Sequence, residues 1–374
     1  MRPLRVAIVA PSLRILGGHA VQADHLIRAW QNDPEVDAWL VPINPLPPRF
    51  LRWATRVKYL RTVVTELTYL PLLIKAVARA DVVHVFSASY ASFLLSPLPA
   101  ILVARALGRP VVLNYHSGEA PDHLKRSGIA RRCMAQVERN IVPSQYLVDV
   151  LTDFGIRAAA IPNIVDLQRF HFRERDPLRP HLLSTRNLGY PYNVACTLRA
   201  FQIVQRRWPG ATLTLVGSGA DERALRAMAG DLGLRDVTFA GRVAPEAIAE
   251  YYAANDIYVQ SPDIDNMPIS VLEAFASGLP VVSTGAGGVP LLLGDGERGL
   301  IVPLNDHEAL AAHVLRLLAD PAMGRRLAWN AYEACAAYTW PAVRTQWLQA
   351  YDGVVSPSAR RRASPTIRTA SVEK

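Results

Sequence analysis

The chain has 374 residues, of which half are hydrophobic and a fifth are charged, a composition typical of a globular protein large enough for two domains. Its three cysteines, Cys133, Cys196 and Cys335, are odd in number and far apart, which indicates a reducing cytoplasm rather than a disulfide framework. The apolar run in the N-terminal sequence MRPLRVAIVAPS is too short for a signal peptide, so we expect a cytoplasmic protein.

The net charge of +9 is unevenly distributed. Residues 1–165 hold 19 Lys and Arg against 11 Asp and Glu, residues 166–355 hold 17 against 20, and residues 356–374 hold 5 against 1. The excess in the first half favours an anionic partner, either a membrane surface or an acidic acceptor, although a general bias towards arginine explains the same counts. We expect no nucleic acid partner, and we predict that the polar, basic segment 356–374 is disordered.

The first elements are a strand and a helix joined by glycines. Arg5–Ala10 is predicted to be a strand, Pro11–Gly18 a loop and Ala20–Trp30 a helix. Gly17 and Gly18 stand where backbone N–H groups at a helix N-terminus can hold a phosphate. No G-x-G-x-x-G motif is present, so a dinucleotide site is disfavoured.

Residues 49–67 are predicted to form one amphipathic helix after a proline-rich loop. Its apolar stripe consists of Phe50, Trp53, Val57, Leu60 and Val64, and the flanking arginines are Arg49, Arg52, Arg56 and Arg61. Such a helix either lies in a membrane interface with its arginines at the lipid headgroups, or packs on its own domain with snorkelling arginines.

The segment Val82–Ala104 contains no Lys, Arg, Asp or Glu and is long enough to span a bilayer. Its prolines, its serines and His84 favour instead a buried strand, Val82–Phe86, that ends in a polar turn. Val111–Leu113 is predicted to be the next strand, and His116 follows its end, where α/β sheets bind ligands. The cluster of His116, Glu119, Asp122 and His123 fits no common metal-ligand spacing, so no metal is expected.

A second series of strands and helices follows the charged loop RFHFRERDPLRP. The predicted strands are Leu182–Arg186, Thr212–Gly217, Val237–Gly241 and Ile257–Gln260. The predicted helices are Tyr192–Trp208, Asp221–Leu232, Pro245–Ala254, Asp306–Leu318 and Met323–Ala337. Alternation at this spacing predicts an α/β fold with a parallel, doubly wound sheet.

The stretch from Ser261 to Pro290, SPDIDNMPISVLEAFASGLPVVSTGAGGVP, combines a loop, a helix, a strand and a glycine turn. Asn266 is predicted to cap the helix, with Pro268 in the first turn and Gly278 ending it in the left-handed conformation. Such a unit presents a helix N-terminus to an anion. Asp265 and Glu273, eight residues apart, can face one ligand.

This stretch resembles the E-x7-E region of the family 4 retaining glycosyltransferases (glycosyl transferases group 1), with Asp265 where the first Glu usually stands. The shared pattern is D-N-M-P, then L-E-A, then G-x-P-V-V. The resemblance implies the GT-B architecture, in which two Rossmann-like domains face a cleft. It implies an acceptor-binding domain at 1–168, a nucleotide-sugar-binding domain at 169–337, and a helix within 338–355 that crosses back to the first domain.

The resemblance also implies roles for individual residues. His116 would lie at the donor sugar and the acceptor, Asp265 would hold hydroxyls of the donor sugar, and Glu273 would hold the ribose. Further donor-binding positions are Gly17 and Gly18 at the β-phosphate, Arg186 at the diphosphate, Gly241, Arg242 and Val243 at the base, and Gly217, Asn266, Met267, Pro268 and Ile269. Glu119 and Arg14 are assigned to the acceptor side.

Three departures from the family pattern affect the donor site. Asp265 is one methylene shorter than Glu, and Leu291 stands where a Glu is common. The Lys expected five or six residues after Arg186 is absent, because Pro191-Tyr192-Asn193 occupies its place, and Arg14 is a candidate to replace its charge. Asp263 and Asp265 also form a D-x-D, a metal signature of another glycosyltransferase fold, but two acids at this spacing occur by chance in a chain of this length.

The sequence therefore predicts a retaining glycosyltransferase without a cofactor. We expect it to move a sugar from a nucleoside-diphosphate donor, UDP-linked in our interpretation, to a glycan, a lipid-linked acceptor or a small molecule. If residues 49–67 form the interfacial helix, the protein would dock on the inner face of the cell membrane through them. The alternative is a non-catalytic nucleotide-sugar-binding or partner subunit, suggested by the missing Lys.

Overall fold

The computed structural model describes residues 2–14 and 17–355, and the predicted disordered segment 356–374 lies outside that range. The described chain forms two six-stranded parallel sheets, one in each half. Hydrophobic clusters cover both faces of each sheet, so each half is a three-layer α/β unit. The predicted α/β class and the two Rossmann-like domains are therefore confirmed.

The first sheet has the strand order β2-β1-β3-β4-β5-β6. Its strands are β1 (Leu4–Ala10), β2 (Val36–Pro42), β3 (Val82–Ser87), β4 (Val111–Tyr115), β5 (Arg139–Val142) and β6 (Ala159–Ala160). The helices of this half are α1 (Gly18–Ala29), α2 (Lys58–Arg79), α3 (Tyr90–Leu95), α4 (Pro97–Ala106), α5 (Ala120–Arg126), α6 (Gly128–Gln136) and α7 (Gln145–Asp153).

The second sheet has the strand order β12-β11-β10-β7-β8-β9. Its strands are β7 (His181–Ser184), β8 (Thr212–Val216), β9 (Val237–Gly241), β10 (Ile257–Gln260), β11 (Val281–Thr284) and β12 (Leu300–Val302). The helices of this half are α8 (Val194–Arg207), α9 (Glu222–Asp231), α10 (Ile248–Ala254), α11 (Ile269–Ala276), α12 (Val289–Leu293), α13 (His307–Ala319) and α14 (Pro321–Ala334).

The last described helix, α15 (Trp340–Asp352), returns to the first half of the chain. Trp340 contacts Trp30 edge to face at 4.5 Å between ring centroids, and Arg344 Nε donates to Asp33 Oδ2 at 2.8 Å. Tyr351 is fully buried in the cluster that also contains β1 residues. This helix is the crossover element that the resemblance implied.

The prediction of one helix over residues 49–67 is wrong. Arg49–Arg56 forms a 3₁₀ helix, Val57 is extended with φ −100° and ψ 121°, and α2 begins only at Lys58 and continues to Arg79. The predicted stripe therefore does not lie on one face. Phe50 and Trp53 are 74% and 61% exposed, whereas Val64 is buried.

The prediction that Asn266 caps the helix carrying Glu273 is also wrong. α11 begins at Ile269, Pro268 is its N-cap residue, and no side chain caps it. The Asn266 amide oxygen instead accepts a hydrogen bond from Ser144, across the cleft. The C-terminal end agrees with the prediction, because Gly278 has φ +73° and a Cβ there would lie 2.8 Å from the Phe172 ring.

The uncharged segment Val82–Ala104 comprises the buried strand β3 and two short helices, α3 and α4. Over the residues that the structure describes, no helix is both long enough and apolar enough to cross a bilayer.

Candidate functional site

A cavity of about 380 Å³ lies between the two sheets, where the carboxyl ends of their strands face each other. Ligands bind at this edge of open α/β sheets, because the loops that follow the strands meet there. The predicted residues among its lining are Gly17, Gly18, His116, Glu119, Arg186, Gly217, Arg242, Val243, Asp265, Asn266, Met267, Pro268, Ile269 and Glu273. Gly241 and Arg14 are not lining residues, and the Arg14 side chain is exposed.

Arg186 and Asp265 form an ion pair inside the cavity. Arg186 Nη2 donates to Asp265 Oδ2 at 2.5 Å, and Arg186 Nη1 donates to Ser270 Oγ at 2.9 Å. Both charged side chains are largely buried, with 9% and 13% of their surface exposed. The Tyr192 ring lies 4.3 Å from the Arg186 guanidinium carbon, so an aromatic face covers the cation at the place of the missing Lys.

The Arg186 Nε atom is buried and has no hydrogen-bond partner among the described residues. An unpaired N–H of a buried guanidinium is costly unless a ligand accepts from it. The close approach of the neighbouring loop depends on Gly217, which has φ +143° and where a Cβ would lie 2.2 Å from the Arg186 carbonyl oxygen. The loops after β7 and β8 therefore converge on this cation.

Glu273 projects into the cavity from α11 and accepts a hydrogen bond from Tyr252 Oη at 2.7 Å. Burial raises the pKa of Glu273 to about 7, although the Tyr252 hydrogen bond and the positive charges of Arg169 and Arg186 act in the opposite direction. A carboxyl group with this pKa exchanges a proton near neutral pH. It can accept from a ligand hydroxyl when ionised.

His116 and Glu119 line the cavity from the first half of the chain, in the loop that follows β4. Burial, and secondarily His19 and His84, holds the pKa of His116 well below its usual value, so its imidazole is neutral. The His116 Nε2 atom is buried without a partner among the described residues. Burial raises the pKa of Glu119, to which the neighbouring Asp122 contributes.

The residues considered for metal binding do not converge. His123 Nδ1 is hydrogen-bonded to Tyr115 Oη at 2.9 Å, and Asp122 pairs with Arg126. Asp263, the other acid of the D-x-D, accepts from Asn193 Nδ2 at 3.0 Å and does not line the cavity. Within residues 2–14 and 17–355, no three His, Cys, Asp or Glu side chains are grouped closely enough to hold a metal ion.

Sequence reasoning did not assign several lining residues to the site, among them His19, Arg169 and Tyr192. His19 directly follows the glycine pair, and Arg169 belongs to the charged loop at the predicted domain boundary, so both had a positional signal. Arg169 Nη2 is buried without a partner among the described residues. Tyr192 had no signal in the sequence except its position, which is where the Lys is missing.

Two facing Rossmann-like domains with a polar cleft and a crossover helix define the GT-B architecture. A family model for glycosyl transferases group 1 matches residues 169–334, and a model for glycosyltransferase family 4 matches residues 16–169. The chain belongs to the family 4 glycosyltransferases of GT-B fold.

Similar proteins include two curated relatives and one solved structure. Glycogen synthase of Mycobacterium tuberculosis is 30% identical over 290 residues, which cover 73% of this chain and 69% of the relative. Alpha-monoglucosyldiacylglycerol synthase of Streptococcus pneumoniae is 27% identical over 268 residues, which cover 63% of this chain and 60% of the relative. A crystal structure of Anabaena HepE in complex with UDP-glucose has a TM-score of 0.74 at 16% identity, over 93% of this chain and 99% of that one.

The chain spans between 22% and 60% of the length of several curated relatives that it matches. The similarity to the HepE structure at 16% identity concerns the fold alone. The family is established, and the activity of the chain, its donor, its acceptor and the stereochemistry of transfer are matters for proposal.

Proposed function

We propose that the chain transfers a sugar from a UDP-linked donor to a glycan or lipid-linked acceptor, with retention of configuration at the anomeric carbon. In this proposal residues 169–337 bind the donor and residues 1–168 bind the acceptor. The observation that carries it is the cavity itself, in which Arg186, Asp265 and Glu273 of the second half face His116 and the N-terminus of α1.

The donor orientation follows from the charges. Glu273 accepts from the ribose hydroxyls, and the unpartnered Nε of Arg186 donates to the diphosphate. Gly17 and Gly18 stand at the N-terminus of the 12-residue helix α1, whose first N–H groups and dipole favour the same negative charge. These groups stabilise the diphosphate as it leaves, which is the largest electrostatic requirement of the reaction.

The transfer step proceeds on one face of the sugar. A bond forms between the acceptor oxygen and the anomeric carbon while the bond from that carbon to the diphosphate oxygen breaks, and the acceptor proton passes to the leaving phosphate. Asp265 is paired with Arg186 and is therefore assigned to the sugar hydroxyls rather than to nucleophilic attack. Neutral His116 hydrogen-bonds the sugar and the incoming hydroxyl, without forming a covalent bond.

The choice of UDP has two sources of support. The HepE structure of the same fold was solved with UDP-glucose, and the pneumococcal O-GlcNAc transferase GtfA was solved with UDP and GlcNAc. Other relatives are described as GDP-mannose-dependent mannosyltransferases, so GDP-linked donors are the direct competitors. Release of UDP or GDP from a panel of UDP- and GDP-linked sugars tests the proposal, with Glu273→Gln, which should bind the donor more weakly, as the comparison variant. Turnover of GDP-mannose alone would replace the UDP assignment.

The second candidate function is a non-catalytic nucleotide-sugar-binding or partner subunit. It is favoured by the missing Lys, by the Tyr192 ring in its place and by the engagement of Arg186 with Asp265. The donor panel separates the two functions when calorimetry is run beside it. Tight binding of UDP without turnover of any donor, with glycans and lipid extracts offered as acceptors, would support the subunit.

We also propose that the first half docks on an anionic membrane, on the inner face of the cell membrane. The apolar surface there is larger than the sequence predicted, because α2 has an exposed apolar face with spacings of four, four, three and four residues. The exposed apolar residues are Phe50, Trp53, Val57, Tyr59, Val63, Leu67, Leu70 and Ile74. Between residues 49 and 109 the chain has nine Lys and Arg against two Asp and Glu, which complements anionic headgroups.

A further inference from the structure

Five rings form a continuous column from the crossover helix α15 to the N-terminus of α1. The members of this ring column are, in order, Trp347, His84, Phe86, His116 and His19. Successive ring centroids are 4.8, 5.0, 5.1 and 5.4 Å apart. The first three contacts are stacked and the last is edge to face, which are the arrangements that aromatic pairs prefer.

The alternation of side chains along two neighbouring strands builds the column. His84 and Phe86 are two residues apart on β3 and therefore lie on one face of the sheet. Asn114 of β4 pairs with Phe86 in the register of the sheet, and His116 follows two residues later, just past the end of the strand. Burial on this face places them against α15 and α1.

The His84 end of the column is fixed by hydrogen bonds. His84 Nδ1 lies 2.8 Å from Tyr351 Oη of α15, and His84 Nε2 lies 3.1 Å from Asn114 Nδ2. Because the Asn114 amide can only donate through Nδ2, Nε2 is the acceptor and the Nδ1–H of the neutral ring donates to Tyr351. Both nitrogens are used, so the plane of the His84 ring is set by α15 and β4.

The His116 end differs, because its ring lacks such anchors. His116 Nε2 is buried without a partner among the described residues, and the neighbouring rings are Phe86 on one side and His19 on the other. The orientation of the imidazole that faces the cavity therefore depends on ring packing.

We propose that His84 and Phe86 are positioning residues, through which α15 sets the orientation of the His116 ring for sugar transfer. The proposal rests on the role of His116 in the proposed function. It assigns to the crossover helix a part in the reaction in addition to its part in the fold. The three imidazoles can stack in this way because they are uncharged at neutral pH.

The crossover helix is also joined to the donor side. The 3₁₀ turn Cys335–Tyr338, which directly precedes α15, packs on α11, and Cys335 Sγ lies 3.9 Å from the Leu272 carbonyl oxygen. Glu273 is the next residue of α11. The turn at Cys335–Tyr338 and α15 thus join the helix that carries the proposed ribose ligand to the Trp347 end of the ring column.

The test compares ring and non-ring substitutions at one buried position. Phe86→Leu removes the ring but keeps an apolar side chain, whereas Phe86→His keeps a flat ring at this position. Phe201→Leu, a fully buried phenylalanine of the second half that does not line the cavity, is the control for general loosening of a core. Each full-length variant is assayed for donor turnover, for UDP affinity by calorimetry and for melting temperature.

We expect Phe86→Leu to lower kcat by about tenfold to 100-fold, because a displacement of about 1 Å at the reacting groups has effects of that size. UDP affinity should remain unchanged, and Phe86→His should recover most of kcat. A crystal structure of Phe86→Leu should show the His116 ring rotated from its wild-type position. If Phe86→Leu loses no more kcat than Phe201→Leu, the positioning role is wrong.

The variant His116→Ala keeps this result separate from the proposed function. If His116→Ala turns over donor like wild type, the role of His116 in the proposed function fails, whatever Phe86→Leu does. If His116→Ala is impaired and Phe86→Leu is not, only the ring column loses its role.

Discussion

Arg186 Nη2 and Asp265 Oδ2 are 2.5 Å apart, so the cation proposed for the diphosphate and the carboxylate proposed for the sugar are paired with each other. A donor that enters the cavity must add its own oxygens to a guanidinium that is already engaged at both Nη atoms. The unpartnered Nε, beside the second N–H of each Nη, is then available to a phosphate oxygen. The ion pair holds Arg186 in place before the donor arrives.

Asp265→Asn should therefore lower the stability of the free protein and increase the stabilisation that a bound ligand provides. Removing one partner of a largely buried ion pair leaves the other charge uncompensated, at a cost of about 3–5 kcal/mol. We expect a lower melting temperature, and a larger rise in melting temperature on adding UDP than in wild type. Discrimination between donor sugars should be reduced more than the affinity for free nucleotide. Asp263→Asn, two residues away and outside the cavity lining, should not show the larger UDP response.

Glu273→Gln should weaken the binding of UDP about 10- to 100-fold, since a hydrogen bond to a charged group contributes about 1.5–3 kcal/mol and 1.4 kcal/mol corresponds to one decade. The amide oxygen can still accept from Tyr252, so the melting temperature should hardly change. Calorimetric titration with UDP measures the first effect and thermal denaturation the second. Wild-type affinity in this variant would remove the central residue of the donor site.

The pKa of Glu273, about 7, makes donor binding dependent on pH. Ribose hydroxyls that donate to the carboxylate favour its ionised form, so binding should release protons at pH 7 and become tighter from pH 6 to pH 8. Titration of UDP-glucose in buffers of different ionisation enthalpy measures this release. UDP-glucose is the suitable probe because its diphosphate does not titrate in this range. The proton release should disappear in Glu273→Gln.

Much of the fold could be predicted because the signals are local. The apolar runs of β1, β3 and β4, the glycines at the start of α1 and the left-handed Gly278 each follow from a few adjacent residues. The same is true of the approach of Glu273 to the cavity, which depends on one short helix that follows Pro268 and is ended by the turn at Gly278.

The remaining features depend on contacts between distant residues. Asn266 has the composition of a helix cap, but its side chain is hydrogen-bonded to Ser144, 122 positions earlier, and the helix begins at Ile269. His84 is held by Tyr351, 267 positions later, which no periodicity within β3 can indicate. The helix predicted over residues 49–67 is interrupted at Val57. The sequence did not indicate this, because apolar spacing alone does not distinguish a 3₁₀ turn from an α-helical one.

His116→Ala should reduce turnover by about 100-fold, within the range for groups that hydrogen-bond a reacting hydroxyl. UDP affinity should not change, because His116 belongs to the first half of the chain and is opposite Glu273 and Arg186 in the cavity. Steady-state kinetics with a saturating donor and calorimetry with UDP separate the two quantities. An equal loss in both would place the imidazole at the nucleotide instead.

Membrane docking should depend on the exposed tryptophan of the 3₁₀ helix. The wild-type protein should co-sediment with anionic liposomes at low salt and be released at high salt, because exposed charges are screened within about 10 Å at 0.1 M. Trp53→Ser should reduce this binding, and Trp329→Ser, an exposed tryptophan of the second half, should not. Equally poor binding to neutral and anionic liposomes, or a stable dimer in solution formed through this surface, would contradict the membrane assignment.

The three histidines of the ring column should make the protein sensitive to mild acid. Burial lowers the pKa of His84 to about 3 and that of His19 to about 4, from an ordinary value of 6.5, and places that of His116 well below 6.5. Below pH 6.5 the unfolded chain binds protons at these imidazoles and the folded chain does not. Stability should therefore fall as the pH is lowered from 6.5 towards about 4.

Carboxyl groups with shifted pKa values also change the stability, either against the histidines or only at lower pH. The pKa of Glu273 is raised, so its contribution is fully present below 4.5 and is lost as the pH rises through about 7, which opposes the histidines. Asp256, whose pKa is lowered to about 2 by its arginine partners against the effect of burial, loses its contribution only below its ordinary value of 3.8.

Burial also lowers the pKa of His25 and His123, which adds to the histidine effect, and raises the pKa of Glu66 and Glu119, which adds to the opposing effect of Glu273. In the window from pH 6.5 to 4.5 five imidazoles therefore oppose three carboxyl groups, and we expect the imidazoles to dominate.

Urea denaturation at pH 7 and at pH 5 measures the net effect of these titrating groups on the stability of the protein. We expect a lower midpoint at pH 5 in the wild-type protein. His84→Gln should be less stable at pH 7, because the ring column is broken, but should lose less between pH 7 and pH 5, because one of the five titrating imidazoles is gone. Glu273→Gln should show a larger loss than wild type, since it removes the opposing contribution. Equal midpoints at the two pH values in all three proteins would mean that the imidazoles are accessible to protons in the folded state, which would contradict the packing of the column.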